Sequence, residues 1–153
     1  MTKPQTIKVE GLPQLIKALG EFEKKIFNKV LKKAFREGAK VSQKAIKALI
    51  PKGETGALRK ALKVRTLARK KDRVGISVQM GEGSFQGATF YGGFLEWGTK
   101  NKEGQTKIEA REFIKKGFND SKEAAAAAMV RTIKEGINAA AKEAARESGA
   151  TAA

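Results

Sequence analysis

From Leu15 to Leu49 apolar residues return every three or four positions: Leu15, Leu19, Phe22, Ile26 and Val30, then Phe27, Leu31, Ala34, Gly38, Val41, Ala45 and Leu49. That period makes one broad apolar stripe on an α-helix, with lysines filling the other side, and a stripe this wide needs a second element to cover it. Gly11-Leu12-Pro13 sets the start, because a proline at the first helical position gives up an N–H that would have no partner there. Pro51 sets the end, since its ring clashes with the preceding turn and pushes residue 50 out of the α region. A long helix is therefore expected over about 13–50, and the rest of the chain must supply its cover.

Beyond Pro51 the turn-rich stretch to Gly56 leaves room for one helical turn over Ala57–Lys60, and then the period changes to two. Leu62, Val64, Thr66 and Ala68 alternate with Lys63, Arg65 and Arg69, and Val74, Ile76, Val78 and Met80 repeat the pattern. Two half-buried strands within 61–80, joined through Lys70-Lys71-Asp72, predict an antiparallel hairpin. Gly81–Gly87 reads as a loop, Tyr91–Glu96 as a short central helix, Gly98–Gln105 as a second loop, and 106–110 as one more strand. The stretches Gly81–Phe90 and Gly98–Gln105 are expected to be mobile in the free monomer and to order on docking. Asn119-Asp120-Ser121 with Glu123 offers a capping pair for a second long helix over about 120–148, whose narrow stripe is Ala125, Met129, Ile133, Gly136, Ile137, Ala140 and Ala144, with Gly149 as the stop. With no internal repeat or linker, the expectation is one α+β domain over 1–153: two long amphipathic helices packed on a small antiparallel sheet, the hairpin plus flanking strands, with a short central helix.

Composition narrows the chemistry. The 153 residues contain neither cysteine nor histidine, which removes thiolate metal sites, disulfides and the commonest general base and metal ligand. No stretch approaches the roughly 18 apolar residues of a membrane span, and Met1-Thr2-Lys3-Pro4-Gln5 is too polar for a signal peptide, so a reducing, cytoplasmic setting without a membrane partner is expected. Gly81-Glu82-Gly83-Ser84-Phe85-Gln86-Gly87 follows a strand, but its third glycine falls one position late for a dinucleotide fingerprint, and Gly53-Glu54-Thr55-Gly56 lacks the lysine of a phosphate loop. A metal-dependent nuclease would gather Asp72, Glu82, Glu96 and Glu109 with Lys107 or Arg111; scattered surface carboxylates in weak ion pairs are the plainer reading. No catalytic, cofactor or metal residue is assigned.

The net charge of +16, from 32 Lys+Arg against 16 Asp+Glu, speaks of acidic partners. Lys24, Lys25, Lys29, Lys32, Lys33, Arg36 and Lys40 line the polar side of the first helix, and Lys63, Arg65, Arg69, Lys70, Lys71 and Arg73 crowd the hairpin. Without aromatic interleaving or a base-reading motif, such faces fit solvation or nonspecific contact with a DNA backbone. Phe85, Phe90, Tyr91, Phe94 and Trp97 concentrate the aromatic residues in one glycine-flanked stretch, a composition shared by cores and by subunit contacts.

Four segments in order carry a resemblance. Val9-Glu10-Gly11-Leu12 leads into Gln14-Leu15-Ile16-Lys17-Ala18-Leu19; Pro51 is followed by Thr55-Gly56-Ala57-Leu58-Arg59; an aromatic run ends in Tyr91-Gly92-Gly93-Phe94-Leu95-Glu96-Trp97-Gly98-Thr99; and Ala110-Arg111-Glu112-Phe113-Ile114-Lys115-Lys116-Gly117-Phe118 precedes the last helix. In this order they resemble the tail-completion, or head–tail joining, proteins of long-tailed double-stranded DNA bacteriophages, the neck and minor tail proteins. Trp97 stands where that family has phenylalanine, and Glu112 and Lys116 where it has prolines.

The resemblance implies a structural virion protein at the head–tail junction, made in the host cytoplasm. It implies a homo-oligomeric ring, commonly a hexamer, that completes or terminates the tail tube and docks it to head connector or stopper proteins, without catalysis; nonspecific contact with packaged DNA is suggested by the positive charge, not by the resemblance. Six copies would carry 6 × 16 = 96 positive charges, so ring assembly at low salt calls for acidic neighbours or DNA. Motif and interface candidates are Thr55, Gly56, Leu58, Arg59, Tyr91, Phe94, Glu96, Trp97, Gly98, Thr99, Arg111 and Phe113. Thr55, Gly56, Leu58 and Arg59 would fix the corner between helix and sheet, or Arg59 would serve as an ion-pair donor between subunits. The rivals are a basic nucleoid-type DNA-binding protein, which explains the charge but not the motif order, and a small phage nuclease.

Overall fold

The computed structural model describes residues 13, 14, 17, 24–53, 56–67, 74–81 and 87–150. The apolar stripe forms helix α1 (Lys24–Leu49), and Pro13, Gln14 and Lys17 upstream are also helical. Leu31, Ala34, Gly38, Ser42 and Ile46 are buried along one side of α1, as a period of 3.6 requires. A short helix α2 (Ala57–Ala61) then feeds strand β1 (Leu62–Thr66), and β2 (Ile76–Met80) returns antiparallel with Leu62 opposite Met80 and Val64 opposite Val78. The connection through Lys70, Lys71 and Asp72 lies outside the described residues.

A 3₁₀ turn (Gly87–Thr89) opens helix α3 (Phe90–Trp97), which leads to a second, separate two-stranded ribbon of β3 (Thr99–Lys100) and β4 (Thr106–Ile108). The strand expected over 106–110 therefore pairs with the stretch read as a loop, not with the hairpin. Asn101 closes that connection: its Oδ1 accepts from the Gln105 N–H at 2.8 Å, and its own N–H donates to the Gln105 carbonyl at 2.9 Å. The Asn101 side chain thus bridges the two ends of this connection.

The last helix, α4 (Phe113–Ala150), covers the stripe of α1. The chains run antiparallel, since Val30 meets Gly136, Gly38 meets Met129 and Ile46 meets Gly117. A Cβ at Gly117 would lie 2.7 Å from the Ile46 Cα, so the two backbones touch there and only glycine fits. This crossing corrects the expected start near 120: α4 begins at Phe113, and Ser121 is no cap. Its hydroxyl is buried, 2.7 Å from the Gly117 carbonyl and 3.0 Å from Ser42 Oγ on α1. A serine mid-helix that bonds back to the preceding turn satisfies itself without ending the helix. At the other end α4 continues past Gly149 to Ala150.

Two apolar clusters result. Ile46, Ile50, Leu62, Met80 and Phe113 join α1, the hairpin and the start of α4, with Leu58, Ala61, Val78, Leu95 and Ile114 around them. Leu31, Ala34 and Ile133 form a smaller cluster between the helices alone, with Phe27, Val30, Phe35 and Ile137 against it. Full burial of a side chain such as Phe113 stabilises by about 1.5–3 kcal/mol, so the first cluster fixes the corner from which the motif residues project.

Candidate functional site

Helix α3 has two faces. On its inner face Gly92, Gly93 and Glu96 are buried. The Glu96 carboxylate accepts hydrogen bonds from the backbone N–H groups of Ile114 at 2.9 Å and Lys115 at 3.3 Å. Those are among the orphan donors of the first turn of α4, so Glu96 acts as the N-cap of a helix that begins 17 residues further along the chain. A carboxylate also suits the positive end of the helix dipole. The backbone strengthens the join: Arg111 N–H donates to the Leu95 carbonyl at 2.7 Å and Glu112 N–H to the Glu96 carbonyl at 3.2 Å.

Gly98 makes that join sterically feasible. Its φ of 70° and ψ of 174° lie in a region open to glycine alone, and a Cβ there would sit 2.7 Å from the Ile108 carbonyl oxygen and 2.9 Å from the Ala110 nitrogen. Thr99 follows with its Oγ1 buried and without a hydrogen-bond partner among the described residues. Arg111 is exposed, while Phe113 is fully buried in the corner cluster.

Glu112 explains the two missing prolines. It stands just before α4 with φ 47°, a left-handed conformation that a proline, locked near −65°, cannot adopt. Lys116 donates its N–H to the Glu112 carbonyl at 2.8 Å, a bond a proline would delete. Lys115 Nζ lies 2.7 Å from Glu112 Oε1, and this bond holds the Glu112 carboxyl below its ordinary range and raises Lys115 above its own.

At the other side of the corner, Arg59 Nε donates to the Ile50 carbonyl at 2.9 Å, closing the C-terminal end of α1 from α2. Leu58 packs on the corner cluster, and Gly56 sits at φ 60° at the N-cap of α2. Thr55 lies outside the described residues.

The outer face of α3 is aromatic. Phe90, Tyr91 and Trp97 are 58%, 63% and 65% exposed, and Phe94 stands edge-on between Phe90 and Tyr91 at centroid distances of 5.0 and 5.8 Å. Positions 90, 94 and 97 share one side of the helix, and residues 87–99 hold a single residue charged at neutral pH, the buried Glu96, in a chain of net charge +16.

Of the carboxylates considered for a metal, Glu96 and Glu109 are among the described residues. Glu96 is engaged at the α4 terminus, Glu109 is exposed just after β4, and Asp72 and Glu82 lie outside the described residues; among the described residues no three acidic side chains stand close enough to share a cation. Arg69, Lys70, Lys71 and Arg73 of the hairpin also lie outside them. No helix among the described residues is long and apolar enough to cross a membrane.

Sequence reasoning grouped the motif residues but missed what Glu96 does. The only local signal was a carboxylate followed by Gly98; its partners lie 18 and 19 residues away.

The hydrogen-bonded corner thus holds out an aromatic face without exposed charge. A family model described as "Bacteriophage HK97-gp10, putative tail-component" matches residues 13–98, more than half of the chain. The chain belongs to this family and is a structural component of phage tails, a virion protein that meets other tail or head proteins. The match ends at Gly98, so α4 and its Ala110–Phe118 approach lie beyond it. No curated protein and no solved structure matches the chain significantly.

Proposed function

We propose that this tail component is a ring subunit at the head–tail junction, commonly six to a ring, that completes the tail tube and docks it to the head connector, and that it performs no catalysis. The observation that carries the reading is the outer face of α3. Three aromatic side chains more than half exposed on one short helix present a large apolar area, and such patches mark interfaces. Because that face carries no exposed charge, two strongly basic copies can meet there without bringing like charges into contact. A ring of this kind is heterologous, so the face of one subunit seats on a different surface of the next. Arg59, satisfied at Ile50, serves the corner in this reading, and Tyr91, Phe94 and Trp97 serve the contact.

Light scattering tests it. The wild-type chain, incubated with purified tail tubes at moderate salt, is expected to form a discrete species near 6 × 16.6 = 99.6 kDa or to cap the tubes in negative-stain images. The Tyr91→Ala/Trp97→Ala variant should remain monomeric. An oligomer that the double variant forms unchanged would place the subunit contact elsewhere, and a wild-type chain that stays monomeric and leaves the tubes bare would overturn the ring.

A further inference from the structure

On α1 the residues Lys29, Lys33, Arg36, Lys40, Lys44 and Lys47 follow one another at intervals of four, three, four, four and three. At 100° per residue all six fall within an arc of about 80°, and from first to last they span 18 × 1.5, or about 27 Å. Leu31, Ala34, Gly38, Ser42 and Ile46 occupy the opposite side, against α4, so the cations form a straight stripe on the outward side of the helix. Lys29, Lys33, Arg36, Lys40 and Lys44 are exposed and Lys47 is half-buried. Glu37, the single acid of α1, sits at the edge of the stripe, bound to Lys40 at 2.7 Å, with Lys33 and Arg131 of α4 near enough to hold its carboxyl below the ordinary range.

We propose that this stripe is a track for the phosphate backbone of duplex DNA, read without regard to sequence. Five of the six cations are lysines, which are depleted at protein–protein interfaces, where Arg and aromatics dominate. Lysine is a hydrated point charge on a flexible stem, suited to phosphates at variable positions, whereas a precise carboxylate contact favours the arginine fork. The stripe holds no aromatic side chain on which single-stranded bases could stack and no Asn or Gln to read a base edge. Laid along the duplex axis, its length spans about eight base-pair rises of about 3.4 Å each. A straight helix cannot follow a curving strand throughout, so about four to six simultaneous contacts are available, giving a slope of log K against log salt of about −4 to −5. The inference stands whether or not the protein forms a ring.

Fluorescence anisotropy of the full chain with a labelled mixed-sequence duplex of about 30 base pairs, over roughly 50 to 300 mM NaCl, reads that slope directly. The Lys33→Gln/Arg36→Gln/Lys40→Gln/Lys44→Gln variant is expected to flatten it by about 3 to 4. A control that removes the same charge from exposed lysines elsewhere, Lys60→Gln/Lys63→Gln/Lys102→Gln/Lys107→Gln, should change it by no more than about 1. If the fourfold variant proves unfolded by circular dichroism, Lys33→Gln/Lys44→Gln should still flatten the slope by about 2. Equal losses in stripe and control variants, or no salt-dependent binding by the wild type, would overturn the proposal. So would poly-glutamate displacing the duplex at equal charge concentration, which would make the occupant an acidic protein surface.

Discussion

The two faces of α3 are built from the same eight residues and carry opposite commitments. The inner face is spent on the fold: Gly92 and Gly93 are buried against their neighbours, and Glu96 holds the start of a 38-residue helix. The outer face leaves Phe90, Tyr91 and Trp97 largely in water, although aromatic residues gain more from burial than almost any other type. Within the single motif Tyr91–Thr99, some residues make the fold and others are left over by it. In the proposed ring the leftover ones make the contact between subunits.

Substitutions should separate the faces sharply. The largest effect is expected for Phe113→Ala, which empties the middle of the corner cluster and should cost about 3–5 kcal/mol in denaturant unfolding. Gly98→Ala comes next at about 3 kcal/mol, since it combines a glycine-only conformation with contact between a Cβ and two backbone atoms. Glu96→Ala should lose about 2 kcal/mol by stripping the cap from α4, with the first turn of that helix losing hydrogen-exchange protection before the rest. A stability change under about 0.5 kcal/mol at Glu96 would return it to the pool of interface candidates.

On the outer face Tyr91→Ala and Trp97→Ala should each change stability by less than about 1 kcal/mol while altering self-association. If either unfolds the chain, the outer face belongs to the fold after all. The smallest effect concerns Glu112. Its carboxyl titrates below the ordinary range in the folded chain, so its contribution is present above the unfolded value of about 4.3 and lost as pH falls through the lowered one. Lys115 is raised, so its share is present below its unfolded value near pH 10.4 and lost as pH rises beyond it. Glu112→Gln should therefore flatten the acid limb of a stability–pH profile slightly and leave the neutral region almost unmoved, because both groups are exposed and the pair is screened.

Residues 24–49, 62–66 and 76–80 announced themselves through period, which is local and needs no partner to be read. The start of α4 did not, because its cap is supplied by Glu96 from another element and its true first turn, Phe113–Lys116, carries no capping residue of its own. Ser121 looked like a cap because capping and back-bonding serines are the same residue; only the neighbouring Ser42 and the backbone contact at Gly117 show which role it has. The basic stripe was visible in part, as far as Lys40, and its continuation through Lys44 and Lys47 became plain once the buried side of α1 was fixed.

The sequence by itself determined the helical and strand periods, the breaks at Pro51 and the glycine loops, the excess of positive charge and the order of motifs that places the chain among phage tail components. These are properties of neighbours along the chain. Tertiary structure alone decided that Glu96 caps α4, that Gly98 must be glycine, that β4 pairs with β3, and which aromatic residues face water. The first three depend on groups about 6 to 19 residues apart meeting within a few ångströms, and no local pattern records where a distant N–H will lie.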